Sequence, residues 1–326
     1  MRLRRLPIDG FLLAIAAAIT LAALAPGLGA RNGPLRLDIA TGAAISLVFF
    51  LHGAGLPLEA LALGVRAVRV HLLVQGTTWI LFPVIGALLL AAAGTGLPAG
   101  LAVGFFLLCA VSSTISSSVA MTAVAGGNVA AALFNATLSG VLGVVLTPLY
   151  VGLVAHTSGV GGSLAAGIGA VALRVLLPLA LGQLARPLLG RLLTRHRTLV
   201  SYVDRGSIVL IVYGAFCDSI LAGAWTRGSF GAVVTVMLLA IGLFALVTLL
   251  LRRATRLLGL ERGDAIAALF CGSQKSLANG LPIARVMFGG SPTLGFIVLP
   301  LIVYHQVQLM VGAMLARRHA RDGSPP

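Results

Sequence analysis

The sequence predicts an all-α integral membrane protein: ten transmembrane helices arranged as two five-helix repeats of opposite orientation. Three observations carry that prediction. Of the 326 residues, 59% are hydrophobic and 10% charged, where a soluble domain needs about a quarter charged to keep its surface wet; the mean hydropathy is +1.06. Apolar runs of about 20 residues, each long enough to cross a hydrocarbon core about 30 Å thick, recur from end to end. Two of these runs, the fourth of each set of five, are interrupted by small polar residues.

The expected spans are 10–30, 37–57, 70–93, 99–125, 128–154, 164–187, 203–223, 229–251, 262–288 and 292–316. The first follows Arg2, Arg4 and Arg5 as a signal peptide would. However, Pro26-Gly-Leu-Gly-Ala makes a poor cleavage region, and the hydrophobic pattern continues past it. A β-barrel is excluded, since its strands would alternate in polarity over about ten residues. Cys109, Cys217 and Cys271 all lie inside apolar runs; an odd number in such places argues against disulfides or a metal centre. The net charge of +15 resides in arginines between the runs, so lipid head groups are the expected partner and nucleic acid is not.

Orientation follows from those arginines. With the N-terminus cytoplasmic, seventeen arginines fall on the inner side, including Arg66, Arg69, Arg186, Arg252, Arg256, Arg262 and Arg318. Only Arg31, Arg36 and Arg227 fall outside. That asymmetry obeys the positive-inside rule and checks the span count, because losing one span would scramble the alternation. Both termini are expected in the cytoplasm of a multi-pass cell-membrane protein.

Span four reads "FFLLCAVSSTISSSVAMTAVAGGN", with Ser or Thr at every position of 112–118 except Ile115. Span nine reads "ALFCGSQKSLANGLPIARVMFGG". Each has a cysteine after a Leu/Phe run, then a small-polar cluster, then an apolar half ending in Gly-Gly. Five spans is an odd number, so the halves 10–154 and 164–316 must insert with opposite orientation. That is the pattern of an inverted repeat whose broken helices meet near the midplane. Non-helical backbone survives there only if it is buried in protein or lines a wet cavity. Breaks are expected near residues 113–117 and 272–275.

The segments "FFLHG" (49–53), "RVHLLVQ" (69–75), "GNVAAALFNATLSGVLGVVLTP" (127–148), "FCGSQKSLANGLP" (270–282) and "LPLIVYHQVQL" (299–309) resemble the bile acid:sodium symporter family, in its symporter-like branch. The resemblance runs from about residue 8 to 318. It implies a core domain of two crossed, broken helices, a panel domain beside it, and secondary transport of a small organic anion. It also implies ion or substrate contacts. Gln274 and Gln75 match the sodium-binding glutamines of spans nine and three. Ser113 and Thr114 match the span-four polar pair, and Ser112, Ser116, Ser117, Ser276 and Asn135 are close by. Four positions depart from the family pattern. Its acidic sodium ligand falls on Phe270, its two span-five hydroxyls fall on Ala132 and Ala136, and the asparagine after the glutamine becomes Lys275. These departures argue against sodium coupling.

Lys275 is the only lysine in the chain, and a lysine at that depth costs several kcal/mol unless paired or hydrated. It either supplies a fixed positive charge to the half-helix carbonyls or an anionic substrate, carries a coupling proton, or simply fixes the crossover. His305, three residues from Gln308 and on the same helical face, is a second candidate for proton relay. Asp218 and Arg174 are expected to pair with each other. No cofactor, metal cluster, nucleotide loop or nucleophile–base pair is evident, which argues against an enzyme. The leading function is therefore secondary transport of a small organic anion, driven by sodium, by a proton or by neither. The alternative is a non-transporting membrane regulator of calcium entry or envelope homeostasis.

Overall fold

The computed structural model describes residues 10–31, 33–55, 67–93, 97–157, 164–225 and 229–322. Arg2, Arg4, Arg5, Arg66 and Arg227, used above for orientation, lie outside them. Among the described residues every regular element is helical. In chain order these are α1 (Gly10–Leu24), α2 (Pro26–Gly29), α3 (Leu37–Gly55), α4 (Val68–Gly76), α5 (Phe82–Ala93), α6 (Ala99–Ala110), α7 (Ser116–Val124) and α8 (Val129–Thr157). There follow α9 (Leu164–Val171), α10 (Leu177–Arg195), α11 (Arg197–Leu221), α12 (Ser229–Leu257), α13 (Arg262–Ser273), α14 (Leu277–Phe288) and α15 (Leu294–Asp322). Single π-helical turns, Thr77–Leu81 and Ala172–Leu176, join α4 to α5 and α9 to α10.

Among the described residues, seven helical stretches are long and apolar enough to cross a membrane. The other three runs expected from the sequence are each divided in two. At 10–30 the cause is Pro26, which disfavours helix at the residue before it: Ala25 sits at φ −141°, ψ 60° between α1 and α2. The runs 99–125 and 262–288 divide at their polar clusters. Leu72, Leu184 and Leu188 are 70%, 76% and 84% exposed, an exterior suited to lipid and not to water.

Proline also explains the π turns. In the first, the Phe82 N–H bonds to Thr77 O in the i→i+5 register. The next bond would run from residue 83 to Thr78 O, but Pro83 has no N–H. Thr78 O is thus left for another donor, and Tyr150 Oη reaches the neighbouring Trp79 O at 3.2 Å. In the second turn Pro178 has the same relation to Leu173.

Packing divides the helices into two groups. In one, α3 lies against α10 and α11, and α11 against α1 and α2. Paired glycines let the α3 and α10 backbones nearly touch: a Cβ on Gly53 would sit 2.0 Å from Leu179 O, and one on Gly182 2.0 Å from Phe50 O. In the other group, α15 packs on α6, α7, α12 and α14, while α13 packs on α4, α7, α8 and α12. Contacts of α11 with α14 and α15, and of α9 with α8 and α14, join the groups.

Candidate functional site

The two breaks cross, and their free backbone groups satisfy one another. After α6 the chain turns extended at Val111 (φ −81°, ψ 150°) and lies outside regular helix over residues 111–115. After α13 it turns extended at Gln274 (φ −98°, ψ 146°) and regains helix at Leu277, where Ser276 caps α14 by accepting from Asn279 N. The last carbonyls of a helix have no intrahelical donor, and burying one without a partner is costly. Here Lys275 Nζ donates to Cys109 O (3.1 Å) and Val111 O (2.8 Å), Thr147 Oγ1 to Ala110 O (2.8 Å), and Ser276 N to Ser112 O (2.8 Å). In return Ser113 Oγ donates to Cys271 O at 2.6 Å, and Tyr304 Oη donates to Ser273 O at 2.7 Å.

Lys275 is wholly buried. Its third hydrogen bond goes to Thr78 O at 3.4 Å, the carbonyl that Pro83 leaves without a donor, and Nζ lies 3.9 Å from the centre of the Phe82 ring. Among the described residues no carboxylate pairs with it. The ammonium thus sits at the C-terminal, partly negative end of α6, with an aromatic face beside it. Gln308 braces the backbone of the same residue from both sides, its Oε1 accepting from Lys275 N at 2.7 Å and its Nε2 donating to Lys275 O at 2.9 Å. His305 Nδ1 lies 2.9 Å from Gln308 Nε2, so it reaches the backbone of Lys275 through that amide.

The structure gathers Ser112, Ser113, Thr114, Ser116, Ser117, Gln274, Lys275 and Ser276 at the crossover. Ser117 Oγ donates to Gln274 Oε1 at 2.6 Å, and Gln274 Nε2 lies 2.9 Å from Met121 Sδ. Gln75 and Asn135 form a separate cluster. Gln75 Nε2 donates to Asn135 Oδ1 at 3.2 Å and Gln75 Oε1 accepts from Trp79 Nε1 at 3.0 Å, while Asn135 Nδ2 meets His71 Nδ1 at 2.9 Å.

Both breaks differ in register from expectation. The first begins two residues early, because Val111 O and Ser112 O bond across the crossover to Lys275 and Ser276; Ser116 and Ser117 already belong to α7. The second begins at residue 274, because Gly272 serves close packing and not flexibility: a Cβ there would meet Leu251 at 3.0 Å. The expected Arg174–Asp218 pair is also corrected. Asp218 bonds Arg285 Nη1 at 3.0 Å and Arg31 N at 2.7 Å, since α11 carries it against α14, whereas Arg174 is exposed on the π turn beside α3.

A cavity of about 420 Å³ opens beside the crossover, between the two helix groups. Ser113, Thr114, Ser116, Ser276 and Asn279 border it on one side, and Phe49, His52, Leu179 and Asp204 on the other. His52 Nε2 lies 3.3 Å from Asp204 Oδ1, tying α3 to α11 at this wall. Several of these groups were not evident from the sequence. Asn279, whose Nδ2 donates to Ser112 Oγ at 2.9 Å, lies in what reads as an apolar half-helix; its signal was the Ser-x-x-Asn cap. Ser139 accepts from Ser113 N at 2.9 Å. His52 and Asp204, far apart in the chain, carried no sequence signal for their pairing.

Interrupted helices crossing beside a largely apolar cavity with a few polar side chains at its edge, in a body with a lipid-facing exterior, define a multi-pass membrane protein built like a secondary transporter. Comparison with known proteins gives the family. The chain belongs to the SBF-like CPA transporter family, whose profile matches residues 9–321. It is 40% identical over 322 residues to the Escherichia coli (strain K12) protein named "Putative symporter YfeH", covering 99% of this chain and 96% of that one. An uncharacterized protein of Pseudomonas aeruginosa is 40% identical over 320 residues, covering 98% and 95%. Sodium/bile acid cotransporter 7 of Danio rerio is 31% identical over 312 residues, covering 94% and 92%.

Proposed function

We propose that this protein is a secondary active transporter of a small organic anion, working by alternating access. The observation that carries this reading is the cavity bordered by both breaks and lying between the two helix groups. Its volume is in the range of small-molecule sites, and movement of one group against the other would open it to either side. The N-termini of α7 and α14 both begin at its edge. Helix N-termini favour negative charge, and the Asn279 amide adds a donor. In this reading the chain has ten spans in two inverted repeats, 10–154 and 164–316. The broken helices belong to a core, and α1, α3, α10 and α11 to a panel. Both termini face the cytoplasm of the cell membrane.

The coupling is not built for sodium. A sodium site needs several converging oxygens, usually with a carboxylate. Phe270 is buried against Ala125, Ile266 and Ala316, and Ala132 and Ala136 bring no oxygen. The Ser117 hydroxyl and the Gln274 amide oxygen bond each other. Lys275 Nζ instead supplies a tethered positive charge at the crossover, the electrostatic role a bound cation would otherwise fill.

The test is thermal unfolding of the purified protein against a panel of small organic anions at fixed ionic strength. A transporter of this kind gives a saturable upward shift with at least one anion, lost when Asn279→Ala removes a cavity donor. A protein acting only as a membrane regulator would respond to none of them.

A further inference from the structure

A second cavity lies where α12 ends, α13 begins and α15 ends. It encloses about 650 Å³, and five arginines border it: Arg252 and Arg256 of α12, Arg262 of α13, Arg318 and Arg321 of α15. Among the described residues no carboxylate pairs with any of them. The nearest acidic residues in sequence are otherwise placed: Asp264 accepts from Asn128 Nδ2 at 2.8 Å, and Glu261 borders a different cavity with Arg69. Arg262 Nη2 donates to His319 O, linking two walls of the cavity. The floor, formed by Ala265, Ile266 and Leu269, is apolar. Five like charges around one cavity repel each other unless an anion lies among them.

A groove of about 340 Å³ shares Arg318 and Arg321 with this cavity and is otherwise formed by Val311, Met314, Leu315 and Arg317. Residues 311, 314, 315 and 318 stand on one face of α15. The groove therefore leads from the arginines along the lipid-facing side of that helix, where Met310 and Met314 are 53% and 54% exposed. A charged cavity continued by an apolar groove matches a molecule with a phosphate at one end and a hydrocarbon chain at the other. Guanidinium pairs bind phosphate oxygens bidentately, and basic pockets between transmembrane helices take anionic lipid head groups.

We propose that this is a binding site for an anionic phospholipid, with the phosphate among Arg256, Arg262 and Arg318 and one acyl chain along Val311, Met314 and Leu315. A free phosphate would use the cavity but leave the groove idle. Because α13 runs into the second break and α15 carries Gln308, the lipid would hold together the cytoplasmic ends of both helices that position Lys275. The site stands apart from the solute cavity and does not depend on the transport reading.

The experiment uses the full chain in neutral detergent. Its unfolding midpoint is measured with phosphatidylglycerol, with phosphatidylcholine, and with inorganic phosphate. Phosphatidylglycerol is expected to raise the midpoint by several degrees over phosphatidylcholine, and inorganic phosphate by much less. The R256Q/R318Q double variant should lose most of that difference with its phosphatidylcholine midpoint unchanged, and Met314→Gln should weaken it. A control pair outside the cavity, R191Q/R195Q, should keep it. Equal midpoints in the two lipids, an equal effect of inorganic phosphate, or an equal loss in R191Q/R195Q would each overturn the proposal. Should R256Q/R318Q fail to fold, native mass spectrometry of the wild-type chain from equal mixtures of the two lipids decides. Selective retention of phosphatidylglycerol supports the site, and indifferent retention refutes it.

Discussion

The first break interrupts regular helix for five residues, 111–115, and is lined by hydroxyls; the second interrupts it for three, 274–276, and carries an amide and an ammonium. Cys109 and Cys271, each just ahead of a break, both lose the donor for their carbonyl to it. Cys271 O is satisfied by a neutral hydroxyl, Ser113 Oγ at 2.6 Å, and Cys109 O by a cation, Lys275 Nζ at 3.1 Å. One task is thus met by two chemistries. The hydroxyl serves one acceptor, whereas the ammonium serves three and adds a charge at the end of α6. The short break is also the more rigidly held, because Gln308 clamps both backbone groups of Lys275. The long break borders the cavity through three side chains, Ser113, Thr114 and Ile115. Charge and rigidity reside in one break, and most of the cavity-facing surface in the other.

The largest expected effect comes from removing the charge. Lys275→Met keeps the apolar stem but leaves three carbonyls bare, at about 1–3 kcal/mol each for a buried unsatisfied group. Part of this is offset, because the variant no longer holds an ammonium away from water. A net loss of roughly 2 kcal/mol, with loss of the anion-induced thermal shift, is expected from unfolding measurements. Wild-type stability together with a wild-type anion response would show that the ammonium has no part in either. Lys275→Arg should recover little, because a planar guanidinium does not reproduce the three directions of the ammonium donors.

A smaller effect is expected at the matching cap of the other break. Ser113→Ala removes one donor from one carbonyl, at about 1 kcal/mol. If the two caps act independently, the double variant with Lys275→Met should show the sum of the single effects. Groups that share one network instead couple by about 0.5–3 kcal/mol. Since the breaks cap each other reciprocally, coupling is expected, and simple additivity would show that the two caps act separately.

The helical runs were legible from the sequence because run length and hydrophobicity are set by the lipid, not by neighbours. Their ends were less so. Helices α10, α12 and α15 continue to Arg195, Leu257 and Asp322, beyond the expected 187, 251 and 316. Arginine is a good helix former, so a helix need not stop where the apolar core does. The breaks were visible as polar clusters, but their register was not, because it depends on donors from the opposite helix. For the same reason the partner of Asp218 was misassigned to Arg174. The Gln308 clamp, the Asn279 contact and the His52–Asp204 pair require knowing which faces meet, and one sequence does not hold that. Lys275 was the exception: its cost at that depth marked it without any knowledge of its partners.

In the proposed function a tethered ammonium stands where a mobile cation would otherwise be needed. This role is tested most directly by the unfolding midpoint of the wild-type protein as sodium replaces potassium at constant ionic strength. Any ion that binds only the folded state stabilises it by mass action, so this measurement needs no knowledge of the solute. The expected result is one midpoint across the whole exchange, with anion affinity equal in the two salts. A saturable rise specific to sodium, or a tenfold gain in anion affinity in sodium (about 1.4 kcal/mol), would contradict it.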